Sequence, residues 1–132
     1  MNQLEEWLFL AESDFKAALW IMKGPDAPYH IVIYHLHQSV EKIMKAYLYI
    51  NDLDIPLTHD LRKLASIIMK ILPELINYQN NIIELDEYFP KIRYPYGDLI
   101  SETMADSAIE FATNIYDYIF SFIRIKSTKI DV

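Results

Sequence analysis

Apolar residues recur every three or four positions along several stretches of the chain, the spacing that places them on one face of an α-helix. The first stretch begins at Asn2, a good N-cap residue with Glu5 three positions later, and continues to Met22. The second extends over residues 29–50. The pattern therefore predicts two long helices, separated by the turn-forming residues 24–28.

The rest of the chain predicts three more helices. A third begins after Thr58, whose hydroxyl can cap the free amides, and carries the apolar pattern to Leu72. A short helix is expected over residues 82–88, and a last long helix from Asp98 or Ser101 to about Ile125.

Four long helices with short connections predict an all-α fold, an up-and-down bundle whose helices lie about 18–20° from antiparallel, with one further short helix. Only two glycines are present, which leaves little material for hairpins and excludes glycine-rich phosphate loops. Since 132 residues suit one domain, the chain is interpreted as a single helical domain over residues 1–132.

Composition narrows the class of protein. Hydrophobic residues make up 52% of the chain and charged residues 23%, the balance of a folded domain. The absence of cysteine excludes disulfide scaffolds, cysteine-based zinc sites, iron–sulfur clusters and thiol catalysis. Because the N-terminus has no basic segment of a secretory signal and no run of about 18 apolar residues occurs, we expect a cytoplasmic protein without membrane association.

The formal net charge of −7 argues against a general nucleic-acid coat, because non-specific affinity comes largely from Lys and Arg that neutralise phosphates. The charge is uneven, however. Residues 74–117 contain nine acidic and two basic residues, whereas residues 42–70 contain five basic and three acidic ones. An anionic ligand would therefore bind locally, at the middle helices or near Arg93.

The second helix carries a polar strip opposite its apolar face. At 100° per residue, four side chains fall within an arc of about 80°, flanked by Glu41. They are His35, Gln38, Lys42 and Lys45. Imidazole, amide and ammonium groups in one row can bind a phosphate or the edge of a base. The alternative is a solvated helix face without a ligand.

A second feature is the sequence Thr58-His59-Asp60-Leu61 at the predicted start of the third helix. Asp60 is favoured there by the helix dipole, His59 is expected to be exposed at the first turn, and a helix N-terminus can bind an anion. An ordinary N-cap explains the same residues. Nothing marks an activated nucleophile, so a Ser-His-Asp device is not predicted.

A third feature covers residues 89–98, where two prolines and a glycine predict a rigid turn that presents Arg93 and Tyr94. Arginine beside tyrosine suits phosphate pairing and base stacking. The alternative is an aromatic loop that seals the end of the bundle.

The last helix combines an acidic ladder with an aromatic run. Glu102, Asp106 and Glu110 are spaced by four residues, but the Glu-x-x-His pairs of di-iron bundles are missing, so we expect a solvated acidic face and no metal. Four aromatic residues exceed what one core stripe can use, which suggests burial against a second subunit. These residues are Tyr116, Tyr118, Phe120 and Phe122.

The three features occur in one order that resembles the HEPN domain, the nucleotide-binding domain of higher eukaryotes and prokaryotes. The resemblance rests on the string Tyr34–Ala46, which reads aromatic-His-x-x-Gln-x-x-Glu-Lys-x-x-Lys-Ala, then on Thr-His-Asp-Leu and on Arg-Tyr-Pro. It covers nearly the whole chain. It implies a helical bundle that dimerises, a role around nucleotides or RNA, and a minimal nucleotidyltransferase as partner in toxin–antitoxin or substrate-binding pairs.

The resemblance also implies family positions for ligand binding. They are His35, Gln38, Glu41, Lys42, His59, Asp60 and Arg93. The residue patterns add Lys45 and Tyr94 as binding candidates. One branch of the family consists of metal-independent ribonucleases with Arg-x4-6-His at the dimer cleft, and this sequence contains no such motif. We therefore predict no catalytic residue by that route.

Three functions remain open at this point. The first is a non-catalytic homodimer that binds a nucleotide or nucleic acid, or serves a nucleotidyltransferase, with His35, Lys42 and Arg93 converging on an anion. The second is a metal-independent ribonuclease whose active-site motif differs from the family pattern and that uses His35 or His59 with Arg93. The third is a regulatory dimer without a ligand, expected if the three features are dispersed and buried. No cofactor is predicted, apart from a nucleotide as ligand.

Overall fold

Five α-helices and one 3₁₀ helix form the computed structural model, which describes residues 1–93 and 100–130, with side chains for residues 1–88 and 100–127. In chain order, the α-helices are α1 (Gln3–Lys23), α2 (Tyr29–Ile50), α3 (Leu61–Ile68), α4 (Gln79–Arg93) and α5 (Glu102–Ile130). The 3₁₀ helix spans Pro73–Tyr78. The predicted all-α fold is confirmed.

The first helix starts as the sequence predicts. The Asn2 side chain accepts a hydrogen bond from the Glu5 backbone N–H at 2.8 Å, and the Glu5 carboxylate accepts one from the Asn2 backbone N–H at 3.4 Å. This capping box satisfies two backbone donors that a helix N-terminus would otherwise leave open.

The second helix is the centre of the molecule, since α1, α3, α4 and α5 all pack against it. Fifteen of its 22 residues are buried, including polar residues on the side opposite the predicted apolar stripe. The predicted alternative of a solvated polar face is therefore wrong for Gln38, Glu41 and Lys45, which are all buried. A helix covered on every side must satisfy its polar side chains from neighbouring elements.

The third helix is shorter than predicted and has a different cap. It ends at Ile68, because a proline at position 73 disfavours the α conformation at Leu72 and interrupts the predicted helix. The N-cap is Asp60 rather than Thr58: its carboxylate accepts from the backbone N–H groups of Arg62 at 2.9 Å and Lys63 at 3.1 Å. The Thr58 hydroxyl accepts instead from the Asp60 backbone N–H.

Removal of this cap gives a first testable expectation. Asp60→Ala leaves two N–H groups of α3 without their acceptor and is expected to lower the free energy of unfolding by about 1 kcal/mol. Urea unfolding monitored by circular dichroism measures the change. Thr58→Ala serves as the control and should cost less, because Thr58 bonds the chain outside the helix. An equal or larger loss for Thr58→Ala would contradict the assignment.

The fourth helix is longer than the predicted segment 82–88. It spans 15 residues and continues through Pro90 to Arg93, so the turn predicted from residue 89 does not begin there. Pro90 removes one backbone donor and lies near the helix end, and α4 continues for three residues beyond it.

The last helix begins at Glu102, with the Ser101 hydroxyl accepting from the Met104 backbone N–H at 3.2 Å, and it extends beyond the predicted end at Ile125. Its aromatic run packs within the same chain. All four aromatic residues are half-buried against the core, and ring pairs link Tyr116 to Phe15 and Tyr118 to Tyr78. The fold thus covers much of the apolar surface that the sequence assigned to a second subunit.

The acidic ladder of α5 lies on the surface, since Glu102, Asp106 and Glu110 are all exposed. Within the described ranges, no helix has the length and apolar content needed to cross a membrane.

Candidate functional site

Six polar residues of α2 form a band around about 160° of the helix, which we call the polar band. Its members, in order around the helix, are His35, Lys42, Gln38, Lys45, Glu41 and His37. The band faces neighbouring segments that provide further charged or imidazole groups, and five of its members, all except Gln38, belong to three groups of contacts. Each group holds at least one cation or imidazole and one carboxylate.

The first group joins α2 to α1 through Asp14. Its carboxylate is 2.9 Å from the His35 Nδ1 and 2.5 Å from the Lys42 Nζ. His35 remains 26% exposed and Lys42 21% exposed, so both groups reach solvent. One carboxylate thus fixes an imidazole and an ammonium group side by side at the edge of the α1–α2 contact.

The second group joins α2 to the segment before α3. The buried Glu41 carboxylate accepts from the Lys45 Nζ at 3.1 Å, and its other oxygen is 2.9 Å from the His59 Nδ1. The Lys45 Nζ also lies 6.0 Å from the centre of the Trp7 ring. Lys45 is nearly inaccessible, whereas the His59 side chain is 60% exposed. The buried Glu41 carboxylate therefore fixes the orientation of the exposed His59 imidazole.

The third group ties α2 to both α3 and α4 through Asp86. This carboxylate is 3.1 Å from the His37 Nε2, accepts from the Leu61 backbone N–H at 3.1 Å and lies 3.4 Å from the Arg62 Nε. Burial alone would raise the pKa of Asp86, but the hydrogen bonds from His37 and from the Leu61 backbone outweigh it, and the pKa is lowered. Asp86 is therefore ionised over the neutral range.

Two buried hydrogen-bond donors lie on the side of α2 that carries the polar band. In the part of the chain that the structure describes, the Gln38 Nε2 and the Trp7 Nε1 are enclosed and have no hydrogen-bond acceptor. Most buried polar atoms in folded proteins are paired, and a pair of exceptions next to one charged band marks a polar region that the fold alone does not complete.

Two of the three sequence features meet in space. The polar strip of α2 and the Thr-His-Asp-Leu segment are joined directly by the Glu41–His59 contact. Asp60 lies beside them as the cap of α3, and it bonds backbone N–H groups rather than the polar band. The third feature is not placed: Tyr94 lies outside the described residues, and Arg93 is described only as the last residue of α4. The convergence of Arg93 with His35 and Lys42 stays a prediction.

Sequence reasoning missed the acids that complete these groups. Asp14 lies on the buried face of α1, because it follows the buried Ala11 by three residues and precedes the buried Ala18 by four. Asp86 likewise lies on the buried face of α4, four residues after the buried Ile82. A carboxylate on an apolar face requires a cation or several donors nearby. That signal was present in the sequence and pointed to charged partners inside the bundle.

The chemical capacity of the site follows from these contacts. Among the residues described, no three His, Asp or Glu side chains stand in a metal-binding arrangement. The polar band and the neighbouring His59 offer instead two imidazoles and an ammonium group at the surface, those of His35, His59 and Lys42, each oriented by an acid. Such groups can donate to a phosphate or to a base.

Comparison with known proteins identifies the family of this chain and a structure with the same fold. Residues 4–123 match the HEPN domain family. No curated protein matches the sequence. The crystal structure of an archaeal HEPN homologue superposes with a TM-score of 0.69 at 20% sequence identity, covering 93% of this chain and 99% of that one. At this identity, the likeness shows a shared fold.

Proposed function

This chain belongs to the HEPN domain family, and on that premise we propose that it is a non-catalytic, homodimeric module that binds a nucleotide or a nucleic-acid strand. The observation that carries the proposal is the Asp14 group, in which the His35 imidazole and the Lys42 ammonium are fixed side by side and still reach solvent. Both groups are prearranged for a phosphate, so binding would lose little side-chain freedom.

The buried Gln38 amide next to this pair supports a ligand with acceptors. Gln38 follows His35 by one turn of α2 and precedes Lys42 by another, so its amide lies on the same side of the helix as both. Its Nε2 has no acceptor among the described residues. A nucleotide presents phosphate oxygens and base acceptors together, which matches a cation, an imidazole and an amide in one row.

The absence of the Arg-x4-6-His motif from the sequence supports binding rather than cleavage. We further propose that the module works with a minimal nucleotidyltransferase, in a toxin–antitoxin type pair in the cytoplasm. In that role the bound nucleotide belongs to the partner enzyme, and the polar band presents it.

Calorimetric titration with ATP and with a single-stranded RNA oligonucleotide tests direct binding. Lys42→Met is expected to weaken binding about tenfold or more, because a charge-assisted hydrogen bond to phosphate contributes roughly 1.5–3 kcal/mol. Lys70→Met is the matched control, since Lys70 is exposed in the turn that follows α3, is not part of the polar band, and should change the affinity less than about twofold. Arg93→Ala tests the predicted convergence in the same assay.

Two results would contradict the proposal. One is the absence of heat from the wild-type protein with every nucleotide and RNA tested. The other is equal affinity for the wild-type protein and for Lys42→Met, which would place the ligand away from the Asp14 group.

A second function is favoured by one observation, the exposed His59 whose Nδ1 is held by the buried Glu41 carboxylate. An imidazole oriented by an acid is the arrangement of a general base, and a metal-independent ribonuclease would need one. Incubation of labelled RNA in EDTA with the wild-type protein and with His59→Ala separates the two functions. Cleavage that disappears in the variant supports the ribonuclease, and intact RNA with the wild-type protein counts against it.

A further inference from the structure

The outer face of α1 carries an unusual stripe of exposed residues. Its members recur at alternating spacings of three and four, which keeps them within an arc of about 100° along the helix. The α1 stripe consists of Glu6, Phe9, Ser13, Lys16, Trp20 and Lys23, all exposed. Phe9 is 56% exposed and Trp20 83% exposed. Two large aromatic side chains on one solvated helix face suggest that this face has a partner.

The charges of the α1 stripe identify the partner. Glu6 is the N-terminal member of the stripe and Phe9 is the member after it. Lys23 is the C-terminal member and Trp20 is the member before it. The pattern is therefore complementary to itself when a second copy runs in the opposite direction. A twofold axis between residues 14 and 15 pairs Glu6 with Lys23, Phe9 with Trp20 and Ser13 with Lys16, each twice.

We infer that two copies of this chain associate through antiparallel pairing of their α1 stripes. The inference rests on the homodimer of the proposed function and assigns its interface. Each Phe9–Trp20 pair is buried between one Glu6–Lys23 ion pair on its outer side and one Ser13–Lys16 pair nearer the axis. The Lys16 Nζ lies 2.9 Å from the Glu12 carboxylate of the same helix. This acid balances the Lys16 charge near the twofold axis, where the Lys16 residues of the two copies approach each other.

The surface around Trp20 has room for the incoming ring. An open cavity of about 590 Å³ is lined by Lys16, Leu19, Trp20, Lys23 and Gly24. In the antiparallel register, Phe9 of the second copy enters at this position and packs on Trp20. A single helix pair is a small interface, and the dimer should therefore dissociate on dilution.

Charge reversal tests the register. Sedimentation equilibrium of the wild-type protein is expected to show a monomer–dimer equilibrium, and Trp20→Ala should raise its dissociation constant about 30-fold or more. Lys23→Glu should raise it about tenfold, because two facing pairs become repulsive. The double variant Glu6→Lys with Lys23→Glu should restore it to within about threefold. Lys70→Glu, the same charge change in the turn that follows α3, is the control and should leave the constant unchanged.

Cross-linking tests the same register independently. The chain contains no cysteine, so a thiol introduced by Ser13→Cys is the only one available. It lies near the proposed axis and should form a disulfide-linked dimer on mild oxidation, whereas Asn114→Cys on the exposed side of α5 should not. Circular dichroism verifies that each variant is folded.

The results of these experiments distinguish a failure of the α1 interface from a failure of the proposed function. A dimer that survives both Trp20→Ala and Lys23→Glu overturns the α1 interface and leaves the homodimer standing. A wild-type protein that is monomeric at all concentrations overturns both, while the nucleotide titration still decides ligand binding. Loss of RNA binding in Trp20→Ala, with the dimer intact, assigns the α1 stripe to a nucleic-acid strand and overturns the pairing.

Discussion

Glu41→Leu is expected to lower the free energy of unfolding by about 3–5 kcal/mol, the cost of breaking a buried ion pair. The Glu41 carboxylate is the acid that holds the Lys45 Nζ, and both side chains are almost completely buried. Leucine fills a similar volume but leaves the ammonium group enclosed without a counter-charge. Guanidinium unfolding followed by circular dichroism measures the change.

The double variant Glu41→Leu with Lys45→Met separates the buried charge from the packing. Because an ion pair replaced by apolar side chains of similar size is often neutral, the double variant should recover most of the stability. Glu110→Leu is the matched control on the surface and should stay within about 0.5 kcal/mol of the wild-type protein. A double variant as unstable as Glu41→Leu would contradict the explanation.

The second large effect is expected for Asp86→Ala, at about 3 kcal/mol near neutral pH. The carboxylate binds His37 of α2, the Leu61 backbone N–H of α3 and the Arg62 side chain, so one substitution removes a set of polar contacts that joins three helices. The loss of an acceptor for a buried donor costs about 1–3 kcal/mol, and here two buried donors are involved.

The pH dependence of this effect has a definite sign. Since the pKa of Asp86 is lowered in the folded protein, its contribution is present above the ordinary Asp value of about 3.9 and is lost as the pH falls through the lowered folded-state pKa. The difference between the wild-type protein and Asp86→Ala should therefore shrink below about pH 4. Unfolding curves from pH 7 to the acid limit measure it, and a difference that grows on acidification would contradict the role of the ionised carboxylate.

The apolar periodicity was sufficient to predict the helical fold and the bounds of α1 and α2. The periodicity predicted the wrong end for α3. The apolar repeat continues to Leu72, but the helix ends earlier, because the local effect of Pro73 overrides the apolar pattern. It also underestimated α4, since Pro90 is a weaker stop near a helix end than the sequence suggested. Helix existence was thus more predictable than helix length.

The site was predicted in part. The polar residues of α2 were found from their spacing, and the contact between Glu41 and His59 brings two predicted features together. The burial of Gln38, Glu41 and Lys45 was not predicted, because it depends on how the other helices pack around α2. The acids Asp14 and Asp86 were not predicted as partners either, since they lie 21 residues before His35 and 49 residues after His37. A single helix viewed alone cannot show which of its faces a distant segment will cover.

The central position of α2 has a consequence for how this protein can diversify. The side chains that we propose as ligand contacts also make polar contacts with α1, α4 and the segment before α3, so a substitution in the polar band is expected to change recognition and stability together. Descendants that acquire a different ligand are therefore expected to keep α2 and to vary His59, Arg62 and the other exposed contributors around it. We therefore expect a change of ligand to involve the exposed residues around α2 more than α2 itself.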